Sequence, residues 1–144
     1  MQNQPEPAAI IEAMAARNPI FKHLDVEVRL AERGRSIFAV KLRDDLTNTF
    51  GSAHGGVLFT LADLTFGFTC NALGERAVTA SASIDYLAPS VVGDILVADA
   101  REVKRAGRNA YYDVEITNVD GTVLALVRGR MRIIGGVVIE EFAT

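Results

Sequence analysis

The carboxylate best placed to do chemistry lies in the middle of an apolar segment. Asp63 is the only charged residue between His54 and Glu75. An ionised carboxylate in a buried helix is unfavourable unless it is paired or hydrogen-bonded. One interpretation is that Asp63 is a structural polar residue, either hydrogen-bonded in the core or on a solvent-facing side of the helix. The other is a reactive carboxylate at a water-filled pocket, acting as a base or nucleophile.

A histidine and two glycines, His54-Gly55-Gly56, open the same segment. The first amides of a helix have no internal partners and lie at the positive end of its dipole, and glycine lets a substrate carbonyl approach them closely. Such amides could stabilise an oxyanion. The alternative is an ordinary junction of loop and helix, with His54 as a capping or core residue. Asn48 lies in the preceding loop, where asparagine usually makes local turns.

Other reactive patterns are weak. Cys70 is the only cysteine and His23 and His54 are the only histidines, so the usual zinc ligands are too few and no metal is expected. The sequence contains no GxSxG elbow and neither of the nucleotide-binding patterns GxxxxGKS/T and GxGxxG. The stretch from Met1 to Pro7 shows no secretory signal, and Asp63 argues against a membrane span, so we expect a cytoplasmic protein.

One long helix must position these residues. From Gly55 to Leu73, apolar residues recur at helical spacing and lie on nearly all sides, which predicts a helix buried on most of its surface. A short helix from Pro7 to Arg17, ended by Asn18-Pro19, a strand hairpin, and a loop from Asp44 to Ala53 precede it.

Four segments of alternating apolar and polar residues follow the helix and predict strands. The first alternates from Val78 to Tyr86, with Thr79 on its polar face. One helix packed on one antiparallel sheet makes an α+β fold. Leu124 and Leu126, on the outer face of the last strand, would then stay uncovered.

The composition is that of one mildly acidic domain. The 144 residues have a net charge of −3, so they lack the broad positive field that binds nucleic acid or anionic membrane. Hydrophobic residues make up 49%, which argues against disorder and suggests apolar surface hidden between copies of the chain. Lys104, Arg105 and Arg108 surround a predicted turn, either as a solvated turn or as a site for a phosphate-bearing ligand.

The motif Asn48-x5-His54-Gly55-Gly56-x6-Asp63, followed by TASASIDYLAP over 79–89, resembles the hotdog-fold acyl-CoA thioesterases of the phenylacetate-degradation (PaaI-type) family. The resemblance runs from about residue 18 to residue 134, nearly the whole chain. It implies a hotdog fold, in which a curved antiparallel sheet wraps a long central helix, as a single domain over 1–144 with an N-terminal helical segment over 1–20. It also implies dimers whose sheets join edge to edge, and in many members tetramers of paired dimers.

The resemblance further implies hydrolysis of an acyl- or aryl-CoA thioester, with CoA as part of the substrate and no separate cofactor. Asp63 matches the general base or nucleophile, and Gly55 matches the glycine whose amide polarises the thioester carbonyl. Asn48 matches a polar residue that orients substrate or water, and His54 a supporting residue. Thr79 matches a hydroxyl that assists the water, with its neighbour Ser81 as the alternative.

Helix geometry independently predicts a site shared by two subunits. Gly55 and Asp63 are eight residues apart, about 12 Å along a helix axis. Both groups must lie within about 3 Å of the reacting atoms, so one helix cannot supply both. Lys104, Arg105 and Arg108 are the predicted contacts of the CoA phosphates. The alternative functions are a non-catalytic hotdog module that binds acyl-CoA or a lipid-like ligand, and, more weakly, a hotdog dehydratase.

Overall fold

The computed structural model describes residues 5–141 and shows one long helix lying against a six-stranded antiparallel sheet. In chain order the elements are α1 (Pro7–Ala16), α2 (Pro19–His23), β1 (Glu27–Glu32), β2 (Arg35–Lys41), a 3-10 turn (Asp44–Leu46), α3 (Gly55–Asn71), β3 (Glu75–Tyr86), β4 (Ile95–Ala106), β5 (Asn109–Thr117), β6 (Val123–Val137) and α4 (Val138–Glu141). The strand order across the sheet is β1-β2-β4-β5-β6-β3, and β2 to β6 all contact α3. The predicted α+β arrangement is confirmed.

The N-terminal segment holds two helices where the sequence predicted one. The Asn18-Pro19 pair ends α1 but also begins α2, because the side-chain oxygen of Asn18 accepts a hydrogen bond from the Phe21 amide at 2.9 Å. Pro19 occupies the first helical position, where a missing N–H is not needed. Residues 1–4 of the predicted segment over 1–20, and residues 142–144 of the predicted domain, lie outside the described residues.

Helix α3 begins where predicted and ends at Asn71, two residues early. Leu61 and Phe66 are fully buried, whereas Gly56 is exposed and Thr60 and Asp63 are only partly buried, so one side of the helix is not covered by its own sheet.

The side chain of Asn71 joins the end of α3 to β3. Its Nδ2 donates to the carbonyl oxygens of Gly67 at 2.9 Å and Ala77 at 3.0 Å, and its Oδ1 accepts from the Ala77 amide at 3.0 Å. The edge strand β3 is thereby fixed to the helix close to its first residue.

A β-bulge in β3 corrects the predicted alternation. Thr79 pairs with Met131 and Ser81 pairs with Arg130, so Ala80 has no partner on β6. An unpaired residue reverses the alternation, and Thr79 therefore faces α3 on the same side as Ala82, instead of the outer side. For the same reason Val78, predicted inward, is exposed.

A second bulge corrects the prediction for Leu124. Ile116 pairs with Ala125 and Thr117 with Val123, which leaves Leu124 unpaired between them. Leu124 turns into the core and is 0% exposed, whereas Leu126 is 44% exposed. Only Leu126 of the two therefore adds apolar surface to the outer face.

A glycine in β6 allows α3 to lie close to the sheet. Gly129 is buried and pairs with Tyr112 on β5. A Cβ atom at this position would lie 2.4 Å from Cζ of Phe66, far inside van der Waals contact. Phe66 stacks on Tyr112 with ring centroids 6.4 Å apart. The missing side chain at Gly129 thus sets the distance between α3 and β6.

Gly129→Ala should lower the free energy of unfolding by about 1 to 3 kcal/mol, because Phe66 must leave its rotamer or α3 must shift. Gly67→Ala is the matched control, since its added methyl would meet only Met131 Cε, at 4.0 Å. Urea unfolding of both variants measures the difference. A Gly129→Ala protein as stable as the wild type would contradict this packing.

Candidate active site

The carboxylate of Asp63 meets the hydroxyl of Thr79 between α3 and β3. Thr79 Oγ1 donates to Asp63 Oδ1 at 2.7 Å, an ordinary length for a hydrogen bond from a hydroxyl to an oxygen. The bulge at Ala80 makes this contact possible by turning Thr79 toward the helix. Among the described residues no donor is bonded to the second oxygen of Asp63, which is therefore available to a water molecule or a substrate.

The start of α3 presents one free amide. The Val57 and Leu58 amides donate to the carbonyl oxygen of His54 at 2.9 and 3.3 Å, and the Gly56 amide donates to His54 Nδ1 at 2.9 Å. Within residues 5–141 the Gly55 N–H has no hydrogen-bond partner. The side chain of His54 therefore acts as the helix cap and leaves Gly55 as the donor that a ligand can reach.

Sequence reasoning missed Tyr86 as a residue of this site. Its hydroxyl donates to the carbonyl oxygen of Gly55 at 2.8 Å, and its ring lies against the Cα of that glycine. The DYLAP stretch contains Tyr86, but the alternating pattern identified it only as the last apolar residue of a strand. A tyrosine at a strand end carries a polar tip that can reach a neighbouring element.

Asn48 lies beside the same glycine. Its Oδ1 accepts from the amides of Phe50 and Ser52 at 2.9 and 3.1 Å, which is a local turn of the kind asparagine favours. Asn48, Gly55 and Tyr86 line one open cavity of about 460 Å³ with the loop after β3. The bound Oδ1 fixes the carboxamide and leaves its NH2 group as the free donor of that side chain.

The structure of one chain thus separates the predicted catalytic residues into two groups. Asn48, His54 and Gly55 lie at the start of α3, while Asp63 and Thr79 lie two turns further along. Asp63 does not line the cavity beside Gly55. One chain therefore does not bring the two groups together at a single point.

The three predicted phosphate contacts differ in their accessibility. Lys104 and Arg108 are exposed, but Arg105 Nε lies 3.0 Å from Oε1 of Glu102. Burial is the largest single influence and lowers the pKa of Arg105, but the hydrogen bond to Glu102 and the charges of Cys70, Tyr112 and Glu102 together raise it. Arg105 is therefore engaged inside the protein, and Lys104 and Arg108 remain accessible.

Two arginines of β6 extend the positive surface: Arg132 is exposed, and the half-buried Arg130 donates to Asn109 Oδ1 at 3.0 Å. Tyr111 on β5 pairs with Lys104 on β4 and with Arg130 on β6. All three side chains therefore project from the same face of the sheet. Arg132 pairs with Asn109, the first residue of β5. Among the described side chains, none of these cations has a carboxylate within salt-bridge distance. Four residues form this cationic patch: Lys104, Arg108, Arg130 and Arg132.

The single cysteine does not offer a nucleophile to this site. Cys70 is buried near the end of α3, and burial raises the pKa of its thiol, so the reactive thiolate is scarce at neutral pH. Within the described part of the chain, no three His, Cys, Asp or Glu side chains are grouped as metal ligands. Over the same residues, no helix is long and apolar enough to cross a membrane.

Residues 50–125 match the thioesterase superfamily, and the chain belongs to that superfamily. Acyl-coenzyme A thioesterase PaaI of Escherichia coli (strain K12) is 33% identical over 129 residues, which are 90% of this chain and 92% of that protein. Acyl-coenzyme A thioesterase 13 of Homo sapiens is 32% identical over 114 residues, 76% of this chain and 80% of that protein.

Solved structures confirm the hotdog fold. Escherichia coli PaaI, from the phenylacetic acid degradation operon, matches with a TM-score of 0.88 at 32% identity, covering 91% of this chain and 95% of that one. A hypothetical thioesterase of Streptococcus pneumoniae TIGR4 solved with coenzyme A matches with a TM-score of 0.74 at 31% identity, covering 76% and 89%. Structures of that thioesterase also exist with an aspartate or a threonine replaced by alanine.

Proposed function

We propose that this protein is an acyl-CoA thioesterase that hydrolyses an acyl- or aryl-CoA thioester to the free acid and CoA. The observation that carries the proposal is the Asp63 carboxylate held by Thr79 at 2.7 Å on a helix whose first amide, at Gly55, is free. A carboxylate supplies the base or nucleophile, and a free helix amide supplies the oxyanion donor, which are the two groups that acyl transfer requires.

The relatives support both the substrate and the residues. Two of them are named acyl-coenzyme A thioesterases, and one was solved with coenzyme A. In the Streptococcus pneumoniae thioesterase, the replaced aspartate and threonine lie sixteen residues apart, which is also the separation of Asp63 and Thr79. The same pair of residue types at the same spacing was thus the target of substitution in a relative.

In the proposed reaction, the thioester carbonyl oxygen accepts a hydrogen bond from the Gly55 N–H. This donor stabilises the oxyanion that forms as the carbon becomes tetrahedral. Asp63 takes a proton from the attacking water, or attacks the carbon itself to form an anhydride that water then opens. The C–S bond breaks and CoA leaves as the thiolate. Thr79 orients the carboxylate, Asn48 orients substrate or water, and no added cofactor takes part.

The proposed active unit is a dimer in the cytoplasm. β3 pairs with β6 on one side only, so its other edge offers unpaired backbone groups to a second β3. The uncovered side of α3, which carries Asp63, lies next to that edge, so a second copy could bring its Gly55 to this Asp63. Dimers could pair again through the outer face of the sheet, where Leu126 lines an open groove of about 490 Å³.

We also propose that the cationic patch holds the CoA phosphates. Its four side chains have no carboxylate partners among the described residues, and phosphates form strong charge-assisted bonds with such groups. The patch lies on β4, the β4–β5 turn and β6, and Arg130 and Arg132 flank Met131, the partner of Thr79 on the opposite face of the sheet. The patch is therefore close to the edge strand that carries the proposed catalytic hydroxyl.

Asp63→Asn should lower kcat on an acyl-CoA panel by about 100-fold or more, because the amide cannot accept a proton or attack the carbonyl. Thiol release measures turnover, and calorimetry with an acyl-CoA should show that binding persists. Asp120→Asn, an exposed carboxylate in the β5–β6 turn, is the matched control and should behave as the wild type. Turnover within a few-fold of wild type would rule out the role of Asp63. Wild-type protein that binds acyl-CoA without releasing thiol would indicate the non-catalytic module.

Arg108→Glu should raise KM for acyl-CoA about tenfold or more and lower kcat less, because a charged hydrogen bond becomes a repulsion. Lys41→Glu replaces an exposed cation at the last residue of β2, outside the cationic patch, and is the control for net charge. An N-acetylcysteamine thioester lacks the nucleotide, so its KM should not change in either variant. Equal shifts in KM for Arg108→Glu and Lys41→Glu would refute the patch.

A further inference from the structure

We propose that Tyr86 is a positioning residue that aims the Gly55 amide. The inference rests on the thioesterase function proposed above, because it assigns the Gly55 N–H to the thioester carbonyl. It concerns the hydroxyl of Tyr86, which donates to the Gly55 carbonyl oxygen at 2.8 Å.

The tyrosine ring and the glycine are fitted to each other. A Cβ atom at Gly55 would lie 3.0 Å from the Tyr86 hydroxyl oxygen and 3.1 Å from Cζ. The ring therefore lies close to the position of a Cβ atom at residue 55, so that a side chain there would be in tight contact with it. This contact gives the glycine a role beyond access for the substrate, since it also lets Tyr86 reach the backbone.

Two side chains hold the peptide group between Gly55 and Gly56 from opposite sides. Tyr86 donates to its carbonyl oxygen, and His54 Nδ1 accepts from its N–H at 2.9 Å. Rotation of this peptide group would break both bonds. Because its orientation fixes the backbone on one side of Gly55, the direction of the Gly55 N–H is also restrained.

The adjoining peptide group, which carries the Gly55 N–H, is held in turn by the helix. Its carbonyl, that of His54, accepts from the amides of Val57 and Leu58. Donors on the carbonyl side of a peptide make its N–H a stronger donor, and hydrogen bonds in series strengthen one another. Tyr86 bonds the next peptide group, whose own N–H belongs to Gly56, so its hydroxyl restrains the direction of the Gly55 N–H and does not polarise it.

The backbone of Tyr86 is itself well fixed. Tyr86 pairs with Ala125 on β6, and the Leu87 amide donates to the Leu124 carbonyl at 2.8 Å. Its side chain, in contrast, is half exposed, so removal of the hydroxyl opens no cavity in the core. A loss of activity without a loss of stability is therefore the signature that separates positioning from a structural role.

Tyr86→Phe should lower kcat about fivefold to tenfold, the value of one hydrogen bond, with KM within twofold and Tm unchanged. Tyr112→Phe is the control: it removes a buried hydroxyl bonded to Glu102 at 3.1 Å, far from Gly55. It should lower Tm and leave kcat within twofold. Two results would overturn the proposal: an unchanged kcat in Tyr86→Phe, or a lower kcat accompanied by a Tm as low as that of Tyr112→Phe.

A measurement without turnover separates this inference from the proposed function. In 15N-edited NMR spectra of the ligand-free protein, Tyr86→Phe should shift the Gly55 amide resonance, because the restraint on its backbone is lost, and Tyr112→Phe should not move it. If wild-type protein hydrolyses no acyl-CoA but the shift occurs, the thioesterase function fails and the positioning contact stands. If wild-type protein is active and the Gly55 resonance does not move, the positioning role is wrong.

Discussion

The spacing of two groups along one helix is the constraint on which this molecule depends. Gly55 and Asp63 lie about 12 Å apart along α3, yet acyl transfer needs a donor and an attacking group on one carbonyl. A regular helix from Gly55 to Asn71 cannot shorten that distance. A second chain that completes each site would explain three features together. These are the free amide at Gly55, the Asp63–Thr79 bond and the open edge of β3.

The edge strand β3 connects the parts of this arrangement. Three polar contacts join it to α3: Asn71 with Ala77, Asp63 with Thr79, and Gly55 with Tyr86. The bulge at Ala80 allows contacts on both sides of it to face the helix. The strand that the proposed dimer would join is therefore also the strand whose residues contact Asp63 and the Gly55 carbonyl.

Periodicity and motif spacing predicted the helix, the strands and the cluster at the start of α3, because these follow from local pattern. They could not predict the bulges, since an unpaired residue such as Ala80 or Leu124 carries no signature in its own strand and depends on the register of β6. The inward turn of Arg105 was hidden for a similar reason. Arg105 points inward because it bonds Glu102, and a bulge lies between Glu102 and Lys104 in β4. A sequence pattern alone does not show that bulge.

The most direct test of the shared site mixes two inactive chains, one Asp63→Asn and one Gly55→Pro. Proline suits the first helical position and removes the N–H, and His54 already has the extended backbone that precedes proline. Gly55→Ala controls for the added contact with Tyr86. If Gly55 and Asp63 of different subunits form each site, random mixing restores about a quarter of wild-type activity. A mixture no more active than its parent chains would contradict the account.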